Sequence, residues 1–260
     1  MTKKLGQCCA LVCAVIGSAF CALPIAAQMQ EVKEKPRMYT YVAFWTIPRA
    51  QWADEAKNEA AEQKFVEKGM ADGQLVAYGN DQNLVHTVDG ATHDTWFSSM
   101  SMAGLLNVLD QVYKSGMPTG PVQAAAPRHW DQILVTRYYN WHPGTYKDVY
   151  TYVMMFNLKP SAPEHAIDML SQHLFVPMLE KMLGDGTIHE YEIDTEAVHT
   201  DMPGTVYVDY IAANAESIDK VNEAIRESDK NDPLGDEALL GMINLKEHRD
   251  YLVRTSATYK

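Results

Sequence analysis

Two stretches of this chain, MYTYVAFWTI from Met38 and VYTYVMMFNL from Val149, spell nearly the same strand at an offset of 111 residues. The match continues in order. EKGMADG (67–73) aligns with EKMLGDG (180–186), LVAYGNDQNLVHT (75–87) with IHEYEIDTEAVHT (188–200), and HWDQILVTR (129–137) with HRDYLVRTS (248–256). The offset drifts to 113 and then 119, as short loop insertions produce. Segments kept in one order mark an internal duplication, with a period far longer than that of solenoid repeats.

Each copy reads β-α-β-β-α-β. The first strand alternates Tyr39, Tyr41, Ala43 and Trp45 with Thr40, Val42, Phe44 and Thr46, the period of two that a strand requires. A helix follows Pro48 in the first copy and Pro163 in the second, where Ile167, Leu170, Leu174, Met178 and Met182 recur at helical spacing. An Asp-Gly pair then ends each helix in a turn. The third strands are TWFSSMSM (95–102) and TVYVDYIA (205–212), and second helices are expected over 103–115 and 215–228. The segments 117–127 and 227–241 read as loops before fourth strands that start near Trp130 and Arg249. Such a unit is the ferredoxin-like split βαβ. Helices cover one face of its sheet, and the other apolar face needs a second layer, which the second sheet supplies. The expected fold class is therefore α+β: ferredoxin-like repeats over 38–145 and 146–260, packed sheet to sheet as an intramolecular barrel.

Residues 1–27 differ from the rest. Lys3 and Lys4 precede an apolar run from Leu5 to Phe20, and CALPIAA ends in small residues at Ala27. This is the pattern of a secretory signal peptide, cleaved after Ala27, with an uncleaved anchor as the other reading. A periplasmic or secreted protein is expected, with 28–37 as a polar lead-in. All four cysteines (Cys8, Cys9, Cys13, Cys21) lie in this segment, so the remainder has no disulfide or thiolate nucleophile. Cleavage would move the net charge from −12 to −14, because only Lys3 and Lys4 leave. An acidic surface of that kind repels nucleic acid and anionic membranes.

Element order and duplication resemble the dimeric α+β barrel superfamily, in the form where two repeats share one polypeptide. That superfamily includes antibiotic-biosynthesis-type monooxygenases, haem-degrading monooxygenases and EthD-like and NIPSNAP-like proteins. The resemblance spans 38–260, and it implies a ligand held between the sheets or between sheet and helices. A monomer or homodimer is expected, since the duplication already supplies a partner sheet.

Asp209 is expected to face the interior beside Thr205 and Tyr207, with Thr95, Phe97 and Ser99 as the counterparts in the first copy. Burial would raise its pKa and fit it for proton transfer, unless it only forms hydrogen bonds at a wet cavity edge. His86 and His199 recur in Val-His-Thr and are candidate proton relays. His129 and His248 recur as His-x-Asp at the fourth strands, a pattern that serves acid–base sites or structural clips. Trp96, Phe97, Ser99, Tyr207, Asn157 and Trp45 are the candidate ligand-binding residues. Tyr138, Tyr139, Trp141, His142 and Tyr146 are either packing between repeats or a stacking wall.

No HExxH or comparable ligand cluster is present, and His165 and His173 stand two helical turns apart, so no metal is expected. Haem is disfavoured. Haem-degrading relatives use an Asn on the first strand, a Trp on the third and a His on the second helix. Here Asn157 and Trp96 fall in different copies, and neither second helix holds a His. Gly-rich phosphate loops and GxSxG elbows are also missing from the sequence. Two functions remain: binding, with cofactor-independent oxidation or isomerisation, of a small apolar or aromatic molecule; or a non-catalytic module that binds a ligand or a protein.

Overall fold

The structure, a computed structural model, describes residues 34–200 and 203–260; the expected signal peptide and most of the lead-in lie outside them. In the first repeat β1 (Met38–Trp45) leads into α1 (Trp52–Ala71), β2 (Ala77–Asn83), β3 (His93–Ser99), α2 (Met102–Lys114), a short α3 (Pro121–Ala125) and β4 (His129–Trp141). The second repeats the order with β5 (Gly144–Asn157), α4 (Ala166–Leu170), α5 (Val176–Gly184), β6 (Ile188–Val198), β7 (Thr205–Ala212), α6 (Ala215–Asn231), α7 (Pro233–Met242) and β8 (Arg249–Tyr259).

Hydrogen bonding joins the strands into a closed barrel in the order β1-β3-β2-β8-β5-β7-β6-β4. Each repeat supplies one four-stranded sheet. The sheets do not simply lie face to face. They join edge to edge, β2 with β8 and β4 with β6, and every pairing is antiparallel. Closure leaves none of these eight strands with a free edge.

The helices lie outside the barrel and bury the other face of each strand. Tyr41, Ala43 and Trp45 of β1 and Phe97 of β3 belong to one core with Val66, Leu105 and Val108. In the second repeat Val206, Val208 and Tyr210 belong to another with Leu170, Leu179 and Val221. Both Asp-Gly turns need a left-handed residue, with φ of 72° at Gly73 and 78° at Gly186.

Two loops were expected where helix is found. Residues 227–241 lie mostly in α6 and α7; Pro233 opens α7 and the Asp232 side chain accepts from the Gly235 amide, a local cap that outweighs the polar composition. Residues 117–127 contain α3, which also opens on a proline, Pro121. The helix after Pro163 is interrupted by a π-turn, Ser171–Phe175. Pro177 lacks the amide that would donate to the carbonyl of His173, and the widened turn accommodates that loss.

Candidate functional site

The barrel encloses a cavity of about 860 Å³. Strand parity decides what lines it. On β1 it is Thr40, Val42 and Phe44, the face opposite the helices. Barrel order then divides the lining into four walls. β4 and β1 present Leu134, Val42 and Phe44, while β8 and β5, on the opposite side, present Val253, Val153 and Met155. Between these apolar walls, β3 and β2 carry Asp94 and Asp81, and β7 and β6 carry Asp209, Glu190, Glu192 and Asp194.

Asp81 stands opposite Asp94 in the β2–β3 ladder, and Glu192 opposite Asp209 in the β6–β7 ladder. Residues so placed have Cβ atoms about 5 Å apart. Like charges at that separation, removed from water, hold one another's protons on. Asp209 is pushed well above the usual carboxylate range by burial and then by the charges of Asp194 and of Asp81 across the barrel. Burial and neighbouring carboxyls likewise raise Glu190, Glu192 and Asp94. Burial lifts Asp81 to about 6 against hydrogen bonds from Thr255, Asp94 and Trp96, and lifts Asp194 to about 7 against one from Thr136.

The polar groups are held in place. Trp96 Nε1 donates to Asp81 Oδ2 at 3.1 Å, Thr136 Oγ1 donates to Asp194 Oδ1, and Gln132 Nε2 donates to the Tyr207 hydroxyl at 2.9 Å. The Trp96 ring lies against Gly79, where an added Cβ would meet the indole at 2.5 Å, so the close approach requires glycine. One end of the cavity is rimmed by the β2–β3 loop, Thr87 to Ala91, and by Arg128, Lys246 and Glu247. At the other end Trp96, Trp141 and Tyr259 pack together, with Trp96–Tyr259 and Trp141–Tyr259 centroids 5.7 and 5.5 Å apart.

Of the candidate residues, Asp209, Trp96, Tyr207 and Asn157 line the cavity. Asn157 sits near the rim, donating to Glu247 Oε2 at 3.0 Å and accepting from Thr205 at 2.8 Å. Phe97 and Ser99 do not line it. Phe97 packs under α2 and the Ser99 hydroxyl donates to the Gln74 carbonyl at 2.5 Å. The sequence alignment paired Ser99 with Asp209, whereas Val42 lies opposite Trp96 and its counterpart Val153 opposite Asp209. Trp96 is thus the positional equivalent of Asp209: the register of β3 is corrected by three residues, an odd number, so the opposite face of β3 looks inward. Trp45 also turns to the helix side, stacked on His129 with centroids 3.5 Å apart.

His86 and His199 are exposed in the loops after β2 and β6, and neither lines the cavity; His86 stacks on Trp52 instead. The His-x-Asp pairs are local contacts, 3.3 Å from His129 to Asp131 and 3.0 Å from His248 to Asp250. Tyr138, Tyr139, Trp141, His142 and Tyr146 pack between the repeats and do not face the cavity. Alignment overlooked the acidic walls themselves. Glu190, Glu192 and Asp194 alternate with Tyr191 and Ile193, a period-two signal legible in the sequence.

Among the described residues no group of three or more His, Cys, Asp or Glu could hold a metal ion. Haem fits the lining poorly. No histidine lines the cavity, and its two carboxyl walls would face the anionic propionates.

The fold, an α+β barrel with both halves in one chain, is shared with solved structures of low sequence identity. A candidate monooxygenase from Fusobacterium nucleatum superposes with a TM-score of 0.63 at 9% identity, over 86% of this chain and 94% of that one. One from Lactobacillus acidophilus gives 0.62 at 11% identity, over 86% and 97%. An anthrone oxidase-like protein gives 0.52 at 11% identity, over 86% and 94%. The sequence matches no family model and no curated protein.

Proposed function

We propose that this protein is exported to the periplasm or beyond, binds a small, flat, apolar or aromatic molecule inside the barrel, and acts on it by proton transfer without a cofactor. The observation that carries this reading is the cavity itself. At about 860 Å³ it falls within the range of small-molecule sites, and its apolar walls face each other across a space bounded by proton-exchanging carboxyls. An ionised carboxylate beside Asp209 would take a proton from an activated carbon. The electron pair left on that carbon then shifts within the molecule and the carboxyl returns the proton to another atom, giving an isomer; or the pair is passed to molecular oxygen, a C–O bond forms, and the proton is delivered to the resulting peroxide, giving a hydroperoxide. The monooxygenase-like neighbours support the second outcome through fold alone. A monomer suffices for this chemistry, because one chain closes the whole barrel; a homodimer would add nothing to the cavity.

Native mass spectrometry of the protein expressed with its signal segment, followed by denaturation, tests the reading. A stoichiometric small molecule is expected, lost in Asp209→Ala or Trp96→Ala variants that remain folded. A barrel that is empty, and that gains no thermal stability from aromatic compounds, would refute it and favour a module that binds protein through its outer surface.

A further inference from the structure

The two acidic walls bear on which molecule the cavity takes. Among the described residues six carboxyl side chains line the interior, from β2, β3, β6 and β7, and no Lys, Arg or His joins them below the rim. Tyr207, Tyr251 and Tyr259 add hydroxyl groups to the lining. β1, β4 and β5 bring no charge to the interior, and behind the β3 wall Glu59 of α1 adds further negative potential at Asp94. At the rim the charges balance: Arg128, Lys246 and Arg249 against Asp89, Glu247 and Asp250. Arg128 is held there, its guanidinium donating to the Asp89 carbonyl at 2.8 Å.

A second observation points to a missing counterpart. Glu190 is 1% exposed on the cavity wall and its carboxyl bonds with Tyr259, yet its Oε1 has no hydrogen-bond partner; Asp81, on the facing wall, bonds with Trp96, Thr255 and Asp94, yet its Oδ1 has none. Buried carboxyl oxygens normally find a donor, and an unpaired one is costly. Such a site calls for a ligand that donates several hydrogen bonds and carries positive charge. A bare metal ion does not meet the geometry, since no three of these carboxyls converge on one point. The apolar walls ask for a flat body between them.

We infer that the ligand is an organic amine, with an aromatic or apolar body seated between the β4–β1 and β8–β5 walls and its ammonium group held by the carboxyls of the other two. This rests on the proposed small-molecule cavity and names the chemical class it selects. Ammonium binding would draw protons off the carboxyls it meets, so affinity rises with pH as those groups ionise and each binding event releases protons.

Three isosteres test it on the full chain: tryptamine, a cation; 3-propylindole, neutral; and indole-3-propionate, an anion. Titration calorimetry at pH 6.5, in buffers of different ionisation heat, should show tryptamine binding at least ~10-fold tighter than 3-propylindole, as charge-assisted hydrogen bonds give. About one proton should be released for each carboxyl ionised. The preference should grow at pH 8 and collapse in Glu192→Gln/Asp209→Asn. Should that variant fail to fold, proton release by the wild-type protein still decides. Equal binding of tryptamine and 3-propylindole without proton release would overturn the amine inference while leaving the cavity reading intact. Tightest binding of indole-3-propionate would overturn the inference too. If none of the three binds, the amine inference fails, and the cavity reading falls with it only where native mass spectrometry also finds the barrel empty.

Discussion

Replacing Asp194 with Asn should stabilise this protein, and do so only away from acid pH. The carboxyl is 2% exposed and burial raises it from an ordinary 3.8 to about 7. Between those two values the folded state holds more protons than the unfolded chain, so stability falls as pH rises, and the loss is complete above about 7. At about 1.4 kcal/mol per pH unit the full loss is about 4 kcal/mol, of which about 3 kcal/mol accrues between pH 5 and pH 8. Asn keeps the shape and an oxygen to accept from Thr136, but it has no proton to lose. Urea unfolding followed by far-ultraviolet circular dichroism should find Asp194→Asn more stable than wild type by about 4 kcal/mol at pH 8, narrowing to about 1–2 kcal/mol at pH 5. The melting temperature of the wild type should drop by about 6–12 °C over that pH interval from this group alone. Asp81, raised to about 6, acts in the same direction. Identical pH slopes in the two proteins, or a wild type more stable at pH 8 than at pH 5, would refute the reasoning.

Three further outcomes are expected. Gly79→Ala places a methyl group 2.5 Å from the Trp96 indole, so the ring must leave Asp81; tryptophan fluorescence should shift and aromatic ligands should lose affinity, both without loss of secondary structure. Leu179→Ala opens a void in a core position that is 0% exposed, at a cost of about 2–5 kcal/mol by urea titration. Ser101→Ala removes the side chain that accepts from the Gly104 amide at the start of α2, costing about 1 kcal/mol in the same titration.

The architecture was legible because it rests on long-range self-similarity. β1 and β5 announce one another, and the Asp-Gly turns fix where each first helix stops. The register of β3 was less accessible. HDTWFSS carries polar and aromatic residues on both faces, so alternation alone does not say which looks inward. Only pairing with β1 settles it. The acidic walls were hidden for a different reason. Acidic residues at every second position of a strand ordinarily mark a face turned to water. Glu190, Glu192 and Asp194 follow that pattern, and only closure of the barrel turns their face into an interior. The exposed positions of His86 and His199 follow from loop placement, which repetition in the sequence does not report.

Trp96 and Asp209 hold equivalent places in the two repeats. In a barrel built from two identical chains that could not occur, since whatever stands on one wall must also stand on the other. Joining the halves covalently releases the cavity from its two-fold axis. One side can keep an indole bonded to Asp81 while the other offers a carboxyl opposite Glu192. On the proposed function, a ligand entering from the rim would meet a left and a right that differ, and a proton could be taken from one side of it and returned from the other.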